Sequence, residues 1–133
     1  MATDATRSST TALLRQVYAA FAQGDMAGVL GPCTDDMVFH VPGHNPTSGD
    51  YTKATFGELI GKLMQISAGT FQEDLLDVLA GDAHGAVVLQ HHFQRDGKPV
   101  QYRTMHLWQL RAGQFCEWWE YPQDLNAFDA TYS

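Results

Sequence analysis

At 133 residues the chain fits one domain and leaves no room for two. An apolar fraction of 44 % suits a globular core and is too high for a disordered chain. A net charge of −7, with 8 scattered basic residues, argues against nucleic-acid and anionic-membrane partners.

Met1 to Thr11 is polar and Ser/Thr-rich, without the apolar run of a signal peptide. Residues 1–9 read as a disordered tail ahead of a single domain over 10–133. Thr10 or Thr11 is a candidate cap for a first helix, in which Leu13, Leu14, Val17, Tyr18 and Phe21 recur at helical spacing. Gly24 should stop it. Asp25 can cap a second, shorter helix through about Leu30, closed by Gly31-Pro32. Asp36 to Val41 reads as a first strand ending at Pro42-Gly43, and Gly43 to Tyr51 as a loop.

Thr52 or Thr55 can cap a third helix carrying Phe56, Leu59, Ile60, Leu63 and Met64 on one face. From Thr70 the period changes. Four strands are expected over 71–80, 85–94, 99–111 and 114–121, joined at Gly81-Asp82, Asp96-Gly97 and Ala112-Gly113. Asp124 to Tyr132 reads as a short helix or an extended tail. Helices ahead of an antiparallel meander mean an α+β fold, with three N-terminal helices covering one face of a curved sheet and enclosing a pocket. No stretch approaches the ~20 apolar residues of a membrane span. Cys33 and Cys116 sit in no metal or redox spacing and read as reduced, buried thiols of a cytoplasmic protein.

Strand alternation separates faces. Val87, Leu89, His91 and Phe93 form the more apolar face of their strand, so His91 is expected inside. Tyr102, Thr104, His106, Trp108 and Leu110 share the face assigned to the pocket in the next strand. In the last strand Cys116, Trp118 and Glu120 alternate with Glu117, Trp119 and Tyr121, and composition does not choose between them.

Three segments carry a resemblance to the nuclear transport factor 2-like superfamily and its SnoaL-like branch. They are Tyr18-Ala-Ala-Phe-Ala-Gln-Gly-Asp25; Val38-Phe-His-Val-Pro-Gly43 with Asn45-Pro46 and Ser48-Gly-Asp-Tyr51; and His106 to Phe115 running into Glu117-Trp-Trp-Glu-Tyr121 and Asp124. Together they cover about residues 11–128. The resemblance implies a cone-shaped, mostly antiparallel sheet around an apolar pocket. The superfamily includes ketosteroid isomerases, limonene epoxide hydrolases, polyketide cyclases and scytalone dehydratases, as well as binding domains, so fold alone does not fix function.

The resemblance also implies site residues. Trp118 and Glu120 match the Trp-x-Asp pattern of limonene epoxide hydrolases, whose acid lines the pocket. His40 matches a polar residue before the exit of the first strand. The central Arg-x-Asp pair of those enzymes falls on His91 and Phe93, so epoxide hydrolysis by their mechanism is not expected. The expected catalytic set is Glu120 as acid/base, His40 as its partner, and His91 and His106 as donors to a developing oxyanion. Tyr18, Val38, Phe93, Tyr102, Trp108 and Trp118 would contact the substrate. A dry pocket should raise a carboxyl pKa and lower that of a histidine, the logic seen in ketosteroid isomerase.

The expected function is an isomerase, cyclase or dehydratase acting on an apolar, polycyclic or polyketide-like molecule. The alternative is a non-catalytic binder of an apolar metabolite. No cofactor is expected. A metal held by His40, His91, His106 and Glu120 is the weakest reading, because these residues have no metal-ligand spacing. Glu117, Trp119 and Tyr121 are expected on an outer face that pairs two copies as a homodimer.

Overall fold

In the computed structural model, which describes residues 3–133, helix α1 spans Asp4–Ala22. Thr3 caps it by accepting a hydrogen bond from the Thr6 N–H. Residues 4–9 are therefore helical, not a disordered tail, and the start of that expected tail lies outside the described residues. The cap lies upstream of the apolar repeat, and periodicity alone gave no sign of the extra turns. Thr10, Leu14 and Val17 form the buried stripe of α1. Gly24 ends it at φ 73°. Asp25 then accepts from the Gly28 N–H and starts α2, Met26–Leu30.

The six strands are β1 (Cys33–Val41), β2 (Gly49–Thr52), β3 (Gln72–Ala80), β4 (His84–Arg95), β5 (Lys98–Arg111) and β6 (Gln114–Pro122). They form one mixed, open sheet in the order β2-β1-β6-β5-β4-β3. Only β1–β6 is parallel; the other neighbours are antiparallel. β2 lies in the expected loop, where Gly49 to Thr52 pairs with Val38 to Val41. The β4–β5 and β5–β6 turns place Asp96-Gly97 and Ala112-Gly113 at positive φ, as two-residue hairpins of right-handed strands require.

α3, Phe56–Ser67, lies over the same face and ends at Ala68 in the left-handed region, followed by Gly69. Thr55 makes no side-chain cap; its hydroxyl accepts from the Thr52 N–H instead. A fourth helix, α4 (Leu125–Tyr132), starts at Asp124 and adds Phe128 and Tyr132 to the core. The fold is thus α+β, with α4 joining the three expected helices as cover. Gly85 allows α1 to approach the sheet, since a Cβ there would lie 2.5 Å from Leu14 Cδ1. No helix among the described residues is long and apolar enough to cross a membrane.

Candidate active site

The concave face of the sheet and the four helices surround a cavity of about 70 Å³. Its walls are apolar: Val17, Phe21, Phe39, Val41, Phe56, Leu59, Ile60, Leu63, Phe71, Trp118 and Phe128. Its polar lining is concentrated in Tyr18, Glu73, His91, Tyr102, His106, Glu120 and Tyr132.

Cross-strand register builds that polar floor. Glu73 faces His91 across β3–β4, His91 faces Tyr102 across β4–β5, and His106 faces Glu120 across β5–β6. His91, His106 and Glu120 are 3 %, 5 % and 7 % exposed. His91 Nε2 is 2.8 Å from Glu73 Oε2, and its Nδ1 is 2.7 Å from the Tyr102 hydroxyl. Tyr102 continues to the Tyr132 hydroxyl. Glu120 Oε2 accepts from Thr104 at 2.9 Å and lies 3.9 Å from His91 Nδ1 and 3.6 Å from His106 Nε2. His106 Nδ1 is 2.6 Å from the Tyr18 hydroxyl, which also accepts from Trp108 Nε1 at 3.0 Å.

The electrostatics reverse the sequence expectation. Burial raises the Glu120 pKa, but the facing His106, the charge of His91 and the Thr104 hydroxyl outweigh it, and the net shift is downward. Burial lowers the His91 pKa, but its bond to Glu73 and the charges of Glu73 and Glu120 win, and the net shift is upward. Each group is buried with a partner of opposite sign, so both charged forms are favoured. Tyr18 and Tyr102 are held well above the ordinary tyrosine value, first by burial and then by the carboxylates, so both remain protonated.

His40 and Val38 are not in this cavity. Strand β1 continues to Val41 and buries Met37, Phe39 and Val41, which turns Val38 and His40 to the other face of the sheet. There His40 bonds Asp50 at 2.7 Å and Glu117 at 2.6 Å and stacks on Trp119. Burial lowers its pKa, and the two carboxylates more than offset this. Phe93 is buried but stands behind the lining, packed on Phe71 and Tyr132. Tyr18, Tyr102, Trp108 and Trp118 line the cavity. A register shift between Gln109 and Leu110 places Phe115 on the inner face with Trp118 and leaves Cys116 half-buried. The expected face of Cys116, Trp118 and Glu120 therefore holds only for its last two members.

Glu73, Phe71, Phe128 and Tyr132 were absent from the expected site. Counting back from the Gly81-Asp82 turn would set Asp74 opposite His91; a shift between Leu75 and Asp77 brings Glu73 there instead. Glu73, His91 and His106 offer ligand atoms within 4.8 Å of one another, of types that suit zinc or iron. Both ring nitrogens of His91 are already engaged, so a cation would have to displace Glu73 or Tyr102. The set that includes His40 is split between the two faces of the sheet. The inward-facing groups form a cluster of two carboxyls and two imidazoles, in which only Glu73 and His91 are hydrogen-bonded to each other.

An open six-stranded sheet of this order, with helices enclosing an apolar cavity that has a polar cluster on the sheet, defines an NTF2-like α+β protein. The model of the SnoaL-like domain matches residues 14–118, and the chain belongs to that family. Bal32a, from a soil-derived mobile gene cassette, has a similar structure, with a TM-score of 0.89 at 24 % identity over 96 % of this chain and 99 % of that one. A cystatin-like protein of unknown function from Xanthomonas campestris superposes with a TM-score of 0.78 at 26 % identity, covering 91 % and 95 %. TerC, co-crystallized with polyporic acid, gives 0.82 at 16 % identity, covering 93 % and 98 %. No curated protein matches the chain in sequence.

Proposed function

We propose that this chain is a small-molecule acid–base enzyme of the isomerase, cyclase or dehydratase kind, acting on an apolar substrate that carries a carbonyl group. The observation that carries the reading is the buried cluster of Glu120, His91, His106 and Glu73 at the end of an otherwise apolar cavity. Glu120, held ionised, is the base. His91, held protonated by Glu73, is the acid, and His106 supplies a donor to the developing oxyanion. Proton abstraction α to a carbonyl needs these groups and no cofactor.

The aromatic walls suit a flat ring, which stacks on them or meets their edges. A cavity of about 70 Å³ is well below the roughly 300 Å³ at the low end for drug-sized ligands. A polycyclic or polyketide-like substrate therefore requires the cavity to widen. The alternative is a binder of an apolar metabolite, favoured by one observation: nearly every polar group of the floor already has a protein partner.

The test is deuterium incorporation from heavy water into a panel of enolisable cyclic ketones, followed by NMR. Glu120→Gln should lower exchange by roughly 100-fold or more. His40→Ala, on the opposite face, should leave it unchanged. If exchange survives Glu120→Gln, the catalytic reading fails and the binding one stands.

We also propose that the outer sheet face pairs two copies of the chain. Two cross-strand rows, Val88–Met105–Tyr121 and Leu107–Trp119–His40, make it apolar and aromatic. The free thiols of Cys33 and Cys116 support a cytoplasmic location.

A further inference from the structure

We infer that a hydrogen-bond relay from Trp108 through Tyr18 holds neutral His106 with its proton on Nε2, making Tyr18, oriented by the Trp108 N–H, a positioning residue for a donor that has no protein partner. The relay follows from geometry alone; its chemical consequence rests on the acid–base reading above.

An indole N–H can only donate. Trp108 Nε1 reaches the Tyr18 hydroxyl oxygen at 3.0 Å, so that oxygen accepts. The Trp118 indole also acts on this oxygen as a donor, and the acceptor beside it is His106 Nδ1, at 2.6 Å. A phenol has one proton to give. If Nδ1 carried a proton, a further donor would converge on the oxygen, and the Tyr18 proton would have no acceptor among the described residues. Leaving a buried donor unmatched disfavours that arrangement by roughly 5- to 150-fold. Tyr18 therefore donates to Nδ1, and the single proton of the neutral imidazole sits on Nε2.

The rings have little freedom to change this. Tyr18 stacks on His106 at 5.8 Å and meets the Trp108 edge at 6.1 Å. The other side of His106 meets Trp118 at 4.7 Å. Turning the imidazole over would replace Nδ1 by a carbon and break the bond to Tyr18.

His106 Nε2 is buried and has no hydrogen-bond partner; the Glu120 carboxylate is 3.6 Å away. Both nitrogens of His91 are occupied, so the two histidines are not equivalent. His106 holds the unspent donor. The substrate oxygen it serves must be an acceptor, such as a carbonyl or enolate, and not a hydroxyl that needs to donate there.

The test is a long-range nitrogen–proton NMR spectrum of the ¹⁵N-labelled full chain, at a pH where His106 is neutral, with the His106 signals assigned by their loss in His106→Gln. Wild type should show a protonated Nε2 and an unprotonated Nδ1. Tyr18→Phe keeps the ring and removes the donor, and should shift the tautomer ratio toward protonated Nδ1 by about fivefold or more. Trp108→Phe removes a donor to the Tyr18 oxygen but leaves Nδ1 as the acceptor of the Tyr18 proton, so Nε2 should stay the protonated nitrogen. A wild-type spectrum with the proton on Nδ1, or a ratio unmoved in Tyr18→Phe, overturns the relay. If the spectra come out as expected while deuterium exchange survives Glu120→Gln, the relay stands and the enzyme reading falls.

Discussion

Replacing Glu73 by glutamine removes one charge from the cavity floor while keeping the shape and one acceptor oxygen. In the wild type Glu73 Oε2 meets His91 Nε2 at 2.8 Å, with side chains 11 % and 3 % exposed, so water screens the pair little. A charge-assisted bond contributes ~1.5–3 kcal/mol and a neutral one ~1 kcal/mol. The substitution should then destabilise the fold by about 1–2 kcal/mol near pH 6. Removing the partner outright, as in Glu73→Ala, should cost more, about 3–5 kcal/mol, because it strands a buried charge.

The pH dependence carries the sharper signature. The folded His91 pKa lies above its unfolded value of 6.5, so its contribution is full below 6.5 and is lost as pH rises through the folded value. Glu120 behaves oppositely. Its folded pKa lies below 4.5, so its contribution is full above 4.5 and is lost as pH falls through the folded value. The cluster should therefore stabilise the fold most between 4.5 and 6.5. In Glu73→Gln the His91 pKa should fall, and the decline in stability above pH 6.5 should flatten. Urea unfolding across pH 4–9, with NMR titration of His91, measures both. A His91 midpoint unmoved by Glu73→Gln would refute the pairing argument.

Two further perturbations address the contact of α4 with the loop after β1 and the outer face of the sheet. Gly43 sits at φ 85°, where a Cβ would come 2.1 Å from Asp129 Oδ1, the atom that accepts from the His44 N–H and the Asn45 side chain. Gly43→Ala should detach α4 from this loop, destabilise the chain by at least about 1–2 kcal/mol from the backbone conformation alone, and speed amide exchange in α4; unchanged exchange there would show that Asp129 is no latch. Tyr121, 48 % exposed beside Met105 and Trp119, should lie in the dimer contact. Tyr121→Lys should convert dimer to monomer in light scattering, and a monomeric wild type would remove the proposal.

Much of the fold is legible because its determinants are local. Leu14 and Val17 recur at helical spacing, and Asp96-Gly97 and Ala112-Gly113 meet the positive-φ demand of tight hairpins. The alternation that placed His91 and His106 inside runs through strands paired without a shift from His84 to Gln109. What could not be read depends on partners distant in sequence. β2 has only four residues and exists because β1 offers it an edge. Glu73 and Phe115 reach the inner face through register shifts, which change which residues are opposed without leaving a period in the sequence. The inward assignment of His40 came from a matched motif, whereas the parity of Phe39 and Val41 in the same strand points it outward.

The electrostatic misreading is instructive in the same way. A carboxyl alone in a dry pocket must have a raised pKa, and a histidine alone a lowered one. That reasoning needs each group to be alone. Glu120 and His106 are cross-strand neighbours, as are His91 and Glu73, so each acid is buried beside a base. The pairing removes the penalty that would have neutralised them, and it sets the direction of proton transfer in the proposed reaction. The downward shift of Glu120 favours its ionised form and the upward shift of His91 its protonated form. The proposed reaction thus begins with abstraction by Glu120 rather than donation from it, with the unpartnered His106 Nε2 3.6 Å from the carboxylate and available to the oxyanion that forms.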